Sequence, residues 1–125
     1  IIAAFDALGS AVAVESEAQM RKMMAVTCLM GQLYEQQRVT QRWMEAEGVP
    51  AERASRYTGA IFHTITGDSM DATSTSFGDL VDEQTPGGLN EQVVREMREA
   101  GCFQAMSDAL EGCSARIEGR QRKTT

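Results

Sequence analysis

Residues 16–34 read SEAQMRKMMAVTCLMGQLY, and their apolar side chains recur at intervals of three and four positions. Met20, Met23 and Met24 share one helical stripe. The opposite side is also apolar, with Val26, Leu29, Met30 and Leu33. A helix that is apolar on all sides is buried on all sides, and a chain of 125 residues has little material to surround one of its own helices. The stretch therefore predicts a helix that meets a second copy of the chain.

The ends of this first helix are marked by capping and breaking residues. Ser16 is a suitable N-cap, and Gln19 follows three positions later, as in a capping box. The sequence becomes polar after Tyr34, reaches Trp43, and then runs into Gly48-Val49-Pro50, which ends a helix. We expect one long helical element between Ser16 and this turn.

Four further apolar stripes follow at helical spacing. They predict a second helix from Pro50 and Ala51 that weakens at Gly67-Asp68, a short third helix ending near Glu83, a fourth ending at Gly101 and a fifth reaching Ile117. The stripes consist of Ala51, Ala54, Thr58, Ile61, Phe62 and Ile65; Phe77, Leu80 and Val81; Leu89, Val93, Val94, Met97 and Ala100; and Phe103, Met106, Leu110, Cys113 and Ile117. The predicted fold class is all-α, with about five helices.

The first fifteen residues have a different pattern. Phe5 to Leu8 resemble the end of a helix capped by Gly9, and Ala11 to Glu15 have the composition of a short strand. A single strand cannot satisfy its own backbone groups, and no later segment offers a sheet. We therefore expect residues 1–15 to be the remnant of an N-terminal domain, residues 16–119 to form the helical domain, and residues 120–125 to be a basic tail.

Composition and charge exclude several classes of protein. Apolar residues make up 42% and charged residues 24%, which is typical of a globular domain, and eight methionines against seven aromatic residues favour packed helices over a sheet. The net charge is -6, and four basic residues against one acidic in 116–125 leave -9 on the rest. This acidity argues against nucleic acid as a partner. Since no apolar run approaches 18 residues, we expect no membrane partner.

Few residues point to chemistry of their own. Three cysteines without a CxxC pair and a single histidine assemble no zinc site of usual spacing, so no metal is expected. An odd number of cysteines without a signal peptide favours a reducing, cytoplasmic location. His63 is interpreted as a histidine of a helix surface or interface, and the adjacent Asp82 and Glu83 as solvated carboxylates rather than an acid–base pair.

The segment Thr85-Pro86-Gly87-Gly88-Leu89-Asn90 is the best candidate for a binding site. Gly87 and Gly88 allow the backbone to approach a ligand closely, and N–H groups at the start of the next helix point toward an anion such as a carboxylate. Asn90 is a candidate N-cap or a direct hydrogen-bond donor. The residues alone favour an ordinary turn between helices over a binding site.

Together with the helices around it, this segment resembles the C-terminal domain of pyrroline-5-carboxylate reductase, and the resemblance extends over about residues 5–119. In that family a Ser/Thr-Pro-Gly-Gly loop opens one helix, and a glycine–phenylalanine segment, here Gly101-Cys102-Phe103, precedes the last one. The other matches come in the same order: the helix and strand of residues 5–15 resemble the end of a Rossmann domain, Glu17 to Tyr34 resemble the first dimerisation helix, and Gly48-Val49-Pro50 matches a Gly-x-Pro turn.

The resemblance implies a two-domain oxidoreductase that reduces a C=N bond, as in proline biosynthesis. A Rossmann domain absent from this chain would carry NAD(P)H, so the fragment binds no cofactor and is inactive alone. The helical domain would form an intertwined homodimer through the first long helix. The substrate carboxylate would lie at the Pro-Gly-Gly loop near the dimer interface, with Gly87, Gly88 and Asn90 binding it, Thr85 shaping the loop, and Leu89 beside them. No acid or base is assigned.

An alternative is a helical dimerisation or interaction module without a catalytic role. Leu89 and Asn90 stand where the family usually has Thr-Thr or Ala-Thr, and Leu89 has no side-chain donor. Thr27 to Gln32 replace a family run that resembles Ser-Gly-Ser-Gly-Pro-Ala. Since losing a donor from a polar site weakens recognition strongly, these replacements favour either another imine or carbonyl substrate or the loss of the site.

Overall fold

The computed structural model describes residues 11–70 and 76–120, and regular structure within them is entirely helical. We number the helices in chain order: α1 Glu17–Val26, α2 Leu29–Ala46, α3 Ala51–Met70, α4 Ser76–Asp82, α5 Leu89–Glu99 and α6 Cys102–Ile117. The all-α class is confirmed. The described part contains six helices instead of about five, because the long first element is divided into α1 and α2.

The division falls at Thr27 and Cys28, inside the apolar stretch. The Thr27 hydroxyl donates to the Met24 carbonyl at 2.7 Å, and the Thr27 and Cys28 amides bond to the carbonyls three positions earlier, at 3.2 and 3.1 Å. A threonine side chain that occupies a main-chain carbonyl competes with the helical ladder. The prediction of one continuous helix was therefore wrong, since periodicity cannot reveal this local competition.

The N-terminal segment contains no strand among its described residues. Residues 11–14 have no regular secondary structure, and α1 begins after a cap at Ser16. Its hydroxyl accepts from the Gln19 amide at 3.2 Å, while the Gln19 side chain accepts from the Glu15 amide at 2.8 Å, which confirms the predicted cap. A strand needs a neighbouring strand to pair with, and the described residues supply none. The predicted helix end at Phe5 to Gly9 and the tail from Gln121 lie outside the described residues.

The described chain falls into two compact units, which we consider separately. The first contains the residues up to Leu29 and those from Met106 onward, so α1 packs there against α6. Its buried residues are small: Ala25 on α1, and Ser114 and Ala115 on α6. Small side chains allow the two helices to approach closely, and polar side chains at the edge of the contact can then bond to each other.

Lys22 of α1 provides the main polar link to α6. Its ammonium group donates to the Ser114 hydroxyl at 2.8 Å and lies 2.9 Å from a Glu118 carboxylate oxygen. Arg120 donates to the other oxygen of Glu118. The hydrogen bonds from Lys22 and Arg120 hold the pKa of Glu118 below its ordinary value.

The low pKa of Glu118 predicts an acid-sensitive contribution to stability. The unfolded chain takes up the proton first, so this contribution is complete above the ordinary carboxyl pKa and is lost as pH falls through the lower folded pKa. In thermal unfolding between about pH 7 and pH 3, Glu118→Gln should lower the midpoint at neutral pH, and its difference from the wild type should shrink toward the acid end. An equal difference at both ends would show that the ionised carboxylate contributes nothing.

The second unit runs from Met30 to Ala105. Within it, Ala54 of α3 is completely buried, and Thr58, one turn later, is 3% exposed. Ile61 and Phe62 continue this face and are half-buried, whereas Ala51 and Ile65, at the two ends of the predicted stripe, are exposed. The Thr58 hydroxyl has no hydrogen-bond partner among the described residues. The half-buried face of α2 comprises Leu33, Gln37, Thr40, Gln41 and Met44.

Glycine ends α2 as predicted. Gly48 has a φ of 90°, its amide bonds to the Glu45 carbonyl at 3.0 Å, and the Val49 amide bonds to the Met44 carbonyl at 2.9 Å. This pair of bonds is the Schellman arrangement, which needs a left-handed residue and therefore favours glycine. Pro50 then precedes the first turn of α3. Within the described ranges, no helix has both the length and the apolarity needed to cross a membrane.

Candidate functional site

The loop before α5 is a tight turn that its sequence explains. The Gly88 amide donates to the Thr85 carbonyl at 2.8 Å, which closes a four-residue turn with Pro86 and Gly87 at its centre. Gly87 has a φ of 73°, as the third position of a type II turn requires, and proline suits the second position. The turn therefore places Gly88 directly at the start of α5.

Helix α5 begins with unpaired N–H groups. Gly88 is its N-cap, in an extended conformation with no side-chain capping bond, so the prediction of Asn90 as N-cap was wrong. The turn places the Gly88 backbone at the cap position, and Asn90 is the second residue of the helix. The amides of Leu89, Asn90 and Glu91 have no acceptor among the described residues. These three N–H groups make the helix end a potential anion-binding position.

The Asn90 side chain fastens the loop instead of capping the helix. Its amide nitrogen donates to the Gln84 side-chain oxygen at 2.9 Å, and the Gln84 side-chain nitrogen donates to the Leu80 carbonyl at 2.8 Å. This relay joins the end of α4 to the start of α5. The relay uses one of the two N–H groups of the Asn90 side chain, so a ligand at this position would meet the free backbone N–H groups of α5 and at most one side-chain N–H.

Two open depressions flank the turn. The first has a volume of about 530 Å³ and is lined by Glu83, Gln84, Thr85, Gly88, Leu89 and Asn90. The second has a volume of about 440 Å³ and is lined by Val81, Asp82, Gln84, Pro86, Gly87, Glu91, Val94 and Arg98. Four of the five predicted site residues therefore line the first depression, while Gly87 lines the second.

Charge distinguishes the two depressions. Glu83 is the only charged side chain lining the first, whereas Asp82 and Glu91 oppose Arg98 in the second. The Glu91 carboxylate also lies 3.6 Å from the Arg95 guanidinium. The residues that line the first depression include Leu89 and Asn90, whose backbone amides are free, although the Glu83 carboxylate there would repel a carboxylate ligand.

Sequence reasoning missed Gln84. It lines both depressions and makes both bonds of the relay, yet it follows α4 at a position that helical periodicity does not mark. The sequence shows only that two amide side chains, Gln84 and Asn90, stand six positions apart on either side of the turn. That spacing alone does not predict a hydrogen bond between them. Leu89, in contrast, is 81% exposed and contributes an apolar wall.

The remaining chemical candidates have the surroundings that the sequence suggested. His63 is exposed on α3, and Asp82 and Glu83 are exposed at the end of α4. Among the described residues, no three His, Cys, Asp or Glu side chains cluster in a way that would hold a metal ion. The three cysteines are free thiols.

Apolar side chains are exposed along several helices. Buried hydrophobic residues are limited to Ala25, Ala54 and Ala115 in the described chain, and no large side chain is fully buried. Exposed ones include Met20, Met23, Met24 and Val26 on α1; Met30, Tyr34, Val39 and Trp43 on α2; and Leu89, Val93 and Met97 on α5. Isolated exposed apolar residues are normal, but contiguous stripes indicate an interaction surface.

Comparison of the chain with protein-family models, with curated proteins and with solved structures finds no match. The resemblance to the reductase family therefore stays a prediction from the sequence.

Proposed function

We propose that this chain is a helical homodimerisation domain. The observation that carries the proposal is the methionine stripe of α1, formed by Met20, Met23 and Met24. Each of these side chains is between 43% and 50% exposed, while Ala25, on the other side of α1, is buried against α6. A helix that packs through a small residue and turns three methionines to solvent has its larger apolar face free for a partner.

A second copy of the chain is the partner that suits this stripe. Glu17 and Arg21 lie along its edge and form an ion pair at 3.0 Å. When two copies of α1 pair antiparallel about a two-fold axis, each acidic residue can meet the basic residue of the other copy. Both signs of charge beside an apolar stripe therefore make the surface self-complementary.

A second exposed ridge on α2 supports the same proposal. Val39 and Trp43 are one turn apart and are 54% and 63% exposed, and they lie opposite the half-buried face of that helix. Tryptophan is enriched at the energetic centre of interfaces. An intertwined dimer would cover both α1 and α2.

The mass in solution tests this proposal directly. Light scattering at micromolar concentration should give twice the 13.6 kDa of one chain. A mass of one chain at that concentration would contradict the proposal.

We further propose that the domain is the substrate side of a cytoplasmic pyrroline-5-carboxylate reductase-like oxidoreductase. The observation in favour is the Thr-Pro-Gly-Gly turn, which presents three unpaired amides at the start of α5 beside an open depression. Here the amides of Leu89 and Asn90 hold the substrate carboxylate, and a Rossmann domain supplies NAD(P)H for hydride transfer.

Binding of a carboxylate to the isolated chain tests the second proposal. L-proline should shift the backbone amide resonances of Leu89, Asn90 and Glu91 in a ¹H–¹⁵N spectrum, because a carboxylate hydrogen bonds to them. Prolinamide, which has the same ring without the carboxylate, is the matched control and should leave them unchanged. The binding is expected to be weak, with Kd on the order of millimolar, since half of the site is absent.

The result also separates the reductase from the interaction module. The exposed apolar Leu89 in the loop favours the module, because it supplies surface rather than a donor. A chain that is dimeric but whose three amides do not respond to L-proline would be a dimerisation module without a carboxylate site.

A further inference from the structure

The second depression beside the turn is lined by unpaired charges of both signs. Its volume is about 440 Å³, and residues of α4, the turn and α5 form its walls. Asp82 is the last residue of α4, and Arg98 lies in the last turn of α5. Neither side chain forms an ion pair or a hydrogen bond with another described residue. Two opposite charges therefore line one open space without neutralising each other.

The sequence explains why both charges lack a partner. Residues 57–94 contain no lysine or arginine, so the Asp82 carboxylate has no basic residue near it in the chain. The residues three and four positions before Arg98 on α5 are Arg95 and Val94, and a helical ion pair would need an acidic residue there. Local pairing therefore leaves both charges available to a ligand.

One face of α5 forms a wall that is acidic at one end and basic at the other. Glu91, Val94 and Arg98 are three and four positions apart, so they lie on the same face, and the rise from the first to the last is about 10 Å. Val94 is half-buried between them, and Val81 of α4 provides a second apolar wall. The Glu91 carboxylate lies 3.6 Å from the Arg95 guanidinium, so its charge is partly compensated.

The hydrogen bond between Gln84 and Asn90 determines which end is acidic. It joins the residues that follow α4 to the start of α5 at 2.9 Å. Asp82, two positions before Gln84, therefore lies toward the start of α5, as Glu91 does. Arg98 lies at the far end of the same face, with the valine side chains in the middle of the depression.

We propose that this depression binds a small zwitterion whose ammonium and carboxylate groups are separated by a short aliphatic chain. The ammonium group lies beside Asp82 and Glu91, the carboxylate meets the Arg98 guanidinium, and the chain contacts Val81 and Val94. A ligand with only a positive charge would be repelled by Arg98, and one with only a negative charge by the two carboxylates. An α-amino acid carries both charges on one carbon, which is too short to reach both ends.

This site is separate from the proposed carboxylate site and does not depend on it. The free amides of Leu89 and Asn90 belong to residues that line the first depression. The zwitterion site uses side chains of the second, so its occupation is measured on different atoms. A response of the Leu89 and Asn90 amides to L-proline tests the reductase proposal alone.

5-Aminopentanoate is the probe for the test, and pentylamine and pentanoate are matched controls that each lack one of its charges. The full chain is titrated at low salt, because ions screen exposed charges. The probe should shift the methyl resonances of Val81 and Val94 and the side-chain Nε–H resonance of Arg98, with Kd on the order of 10 mM for so open a site. Both controls and glycine should leave these resonances unchanged.

Four variants make the result specific. Asp82→Asn and Arg98→Gln each remove one charge of the site and should raise Kd about fivefold. Glu83→Gln removes the adjacent carboxylate, which lines the first depression, and Arg53→Gln removes an exposed charge on α3; neither should change Kd. Circular dichroism establishes that each variant is folded.

Three results would overturn the proposal. One is the absence of a response to 5-aminopentanoate at concentrations up to about 50 mM, well above the expected Kd. The second is equal binding of pentylamine or pentanoate, which would show that one charge suffices. The third is an unchanged Kd in Asp82→Asn or Arg98→Gln, which would place the ligand elsewhere.

Discussion

Replacing Met24 with glutamate is expected to turn the proposed dimer into monomers at micromolar concentration while the helices remain intact. The Met24 side chain is 50% exposed in one chain, so a carboxylate there stays hydrated in the monomer. In the dimer it would be buried within the methionine stripe. An uncompensated buried charge costs about 3 kcal/mol or more, and Kd should rise by at least about 100-fold.

Two controls separate this effect from changes in apolarity and in net charge. Met24→Leu keeps an apolar side chain of similar volume and should leave the dimer within about threefold of the wild-type Kd. Ala60→Glu adds the same charge on the exposed side of α3, and it should not change the mass. Sedimentation velocity over a concentration series measures all three variants. A Met24→Glu chain that remains dimeric would exclude the methionine stripe from the interface.

Leu29 provides a contrast with Met24. It is half-buried within its own chain at the start of α2, whereas Met24 points away from the packed side of α1. Leu29→Glu should therefore lower the unfolding midpoint of the monomer itself, a change that Met24→Glu does not cause. The periodic pattern of residues 16–34 predicts an apolar side chain at both positions. Only their burial in the structure distinguishes a side chain of the folded monomer from one of the proposed interface.

The sequence predicted most of the helices because their signals are local. The Ser16 cap, the Gly48 turn, the Thr85–Gly88 turn and the Gly101 stop each depend on residues a few positions apart, and all appear where expected. The break at Thr27 was missed, since a hydroxyl that competes for the Met24 carbonyl leaves the apolar spacing unchanged.

The candidate site could be predicted only in part. Proline and paired glycines identified the turn, and four of the five predicted site residues line the same depression. The relay from Asn90 through Gln84 to Leu80 could not be anticipated, because it depends on where two side chains meet across the turn.

Gly88→Ala is expected to destabilise the chain by about 1–2 kcal/mol and to lower its unfolding midpoint by roughly 4–8 °C. A Cβ atom at this position would lie 2.9 Å from the Thr85 carbonyl oxygen, which already accepts the Gly88 amide. The neighbour is backbone, so the turn itself must open. The φ of -79° suits alanine, and the cost is therefore steric clash and a poorer cap, not dihedral strain.

Gly31→Ala is the matched control, and it should have the opposite sign. Gly31 lies inside α2, and a Cβ atom there meets nothing within 4 Å, so alanine should stabilise the helix by about 0.5–1 kcal/mol. Thermal unfolding at one fixed chain concentration compares the two, because the midpoint of a dimer depends on concentration. Opening the turn also moves the Leu89 and Asn90 amides, so Gly88→Ala should abolish their response to L-proline while Gly31→Ala preserves it. If Gly88→Ala were as stable as Gly31→Ala, the turn would accommodate the Cβ atom with no loss in the free energy of unfolding, and it would not hold these amides in place.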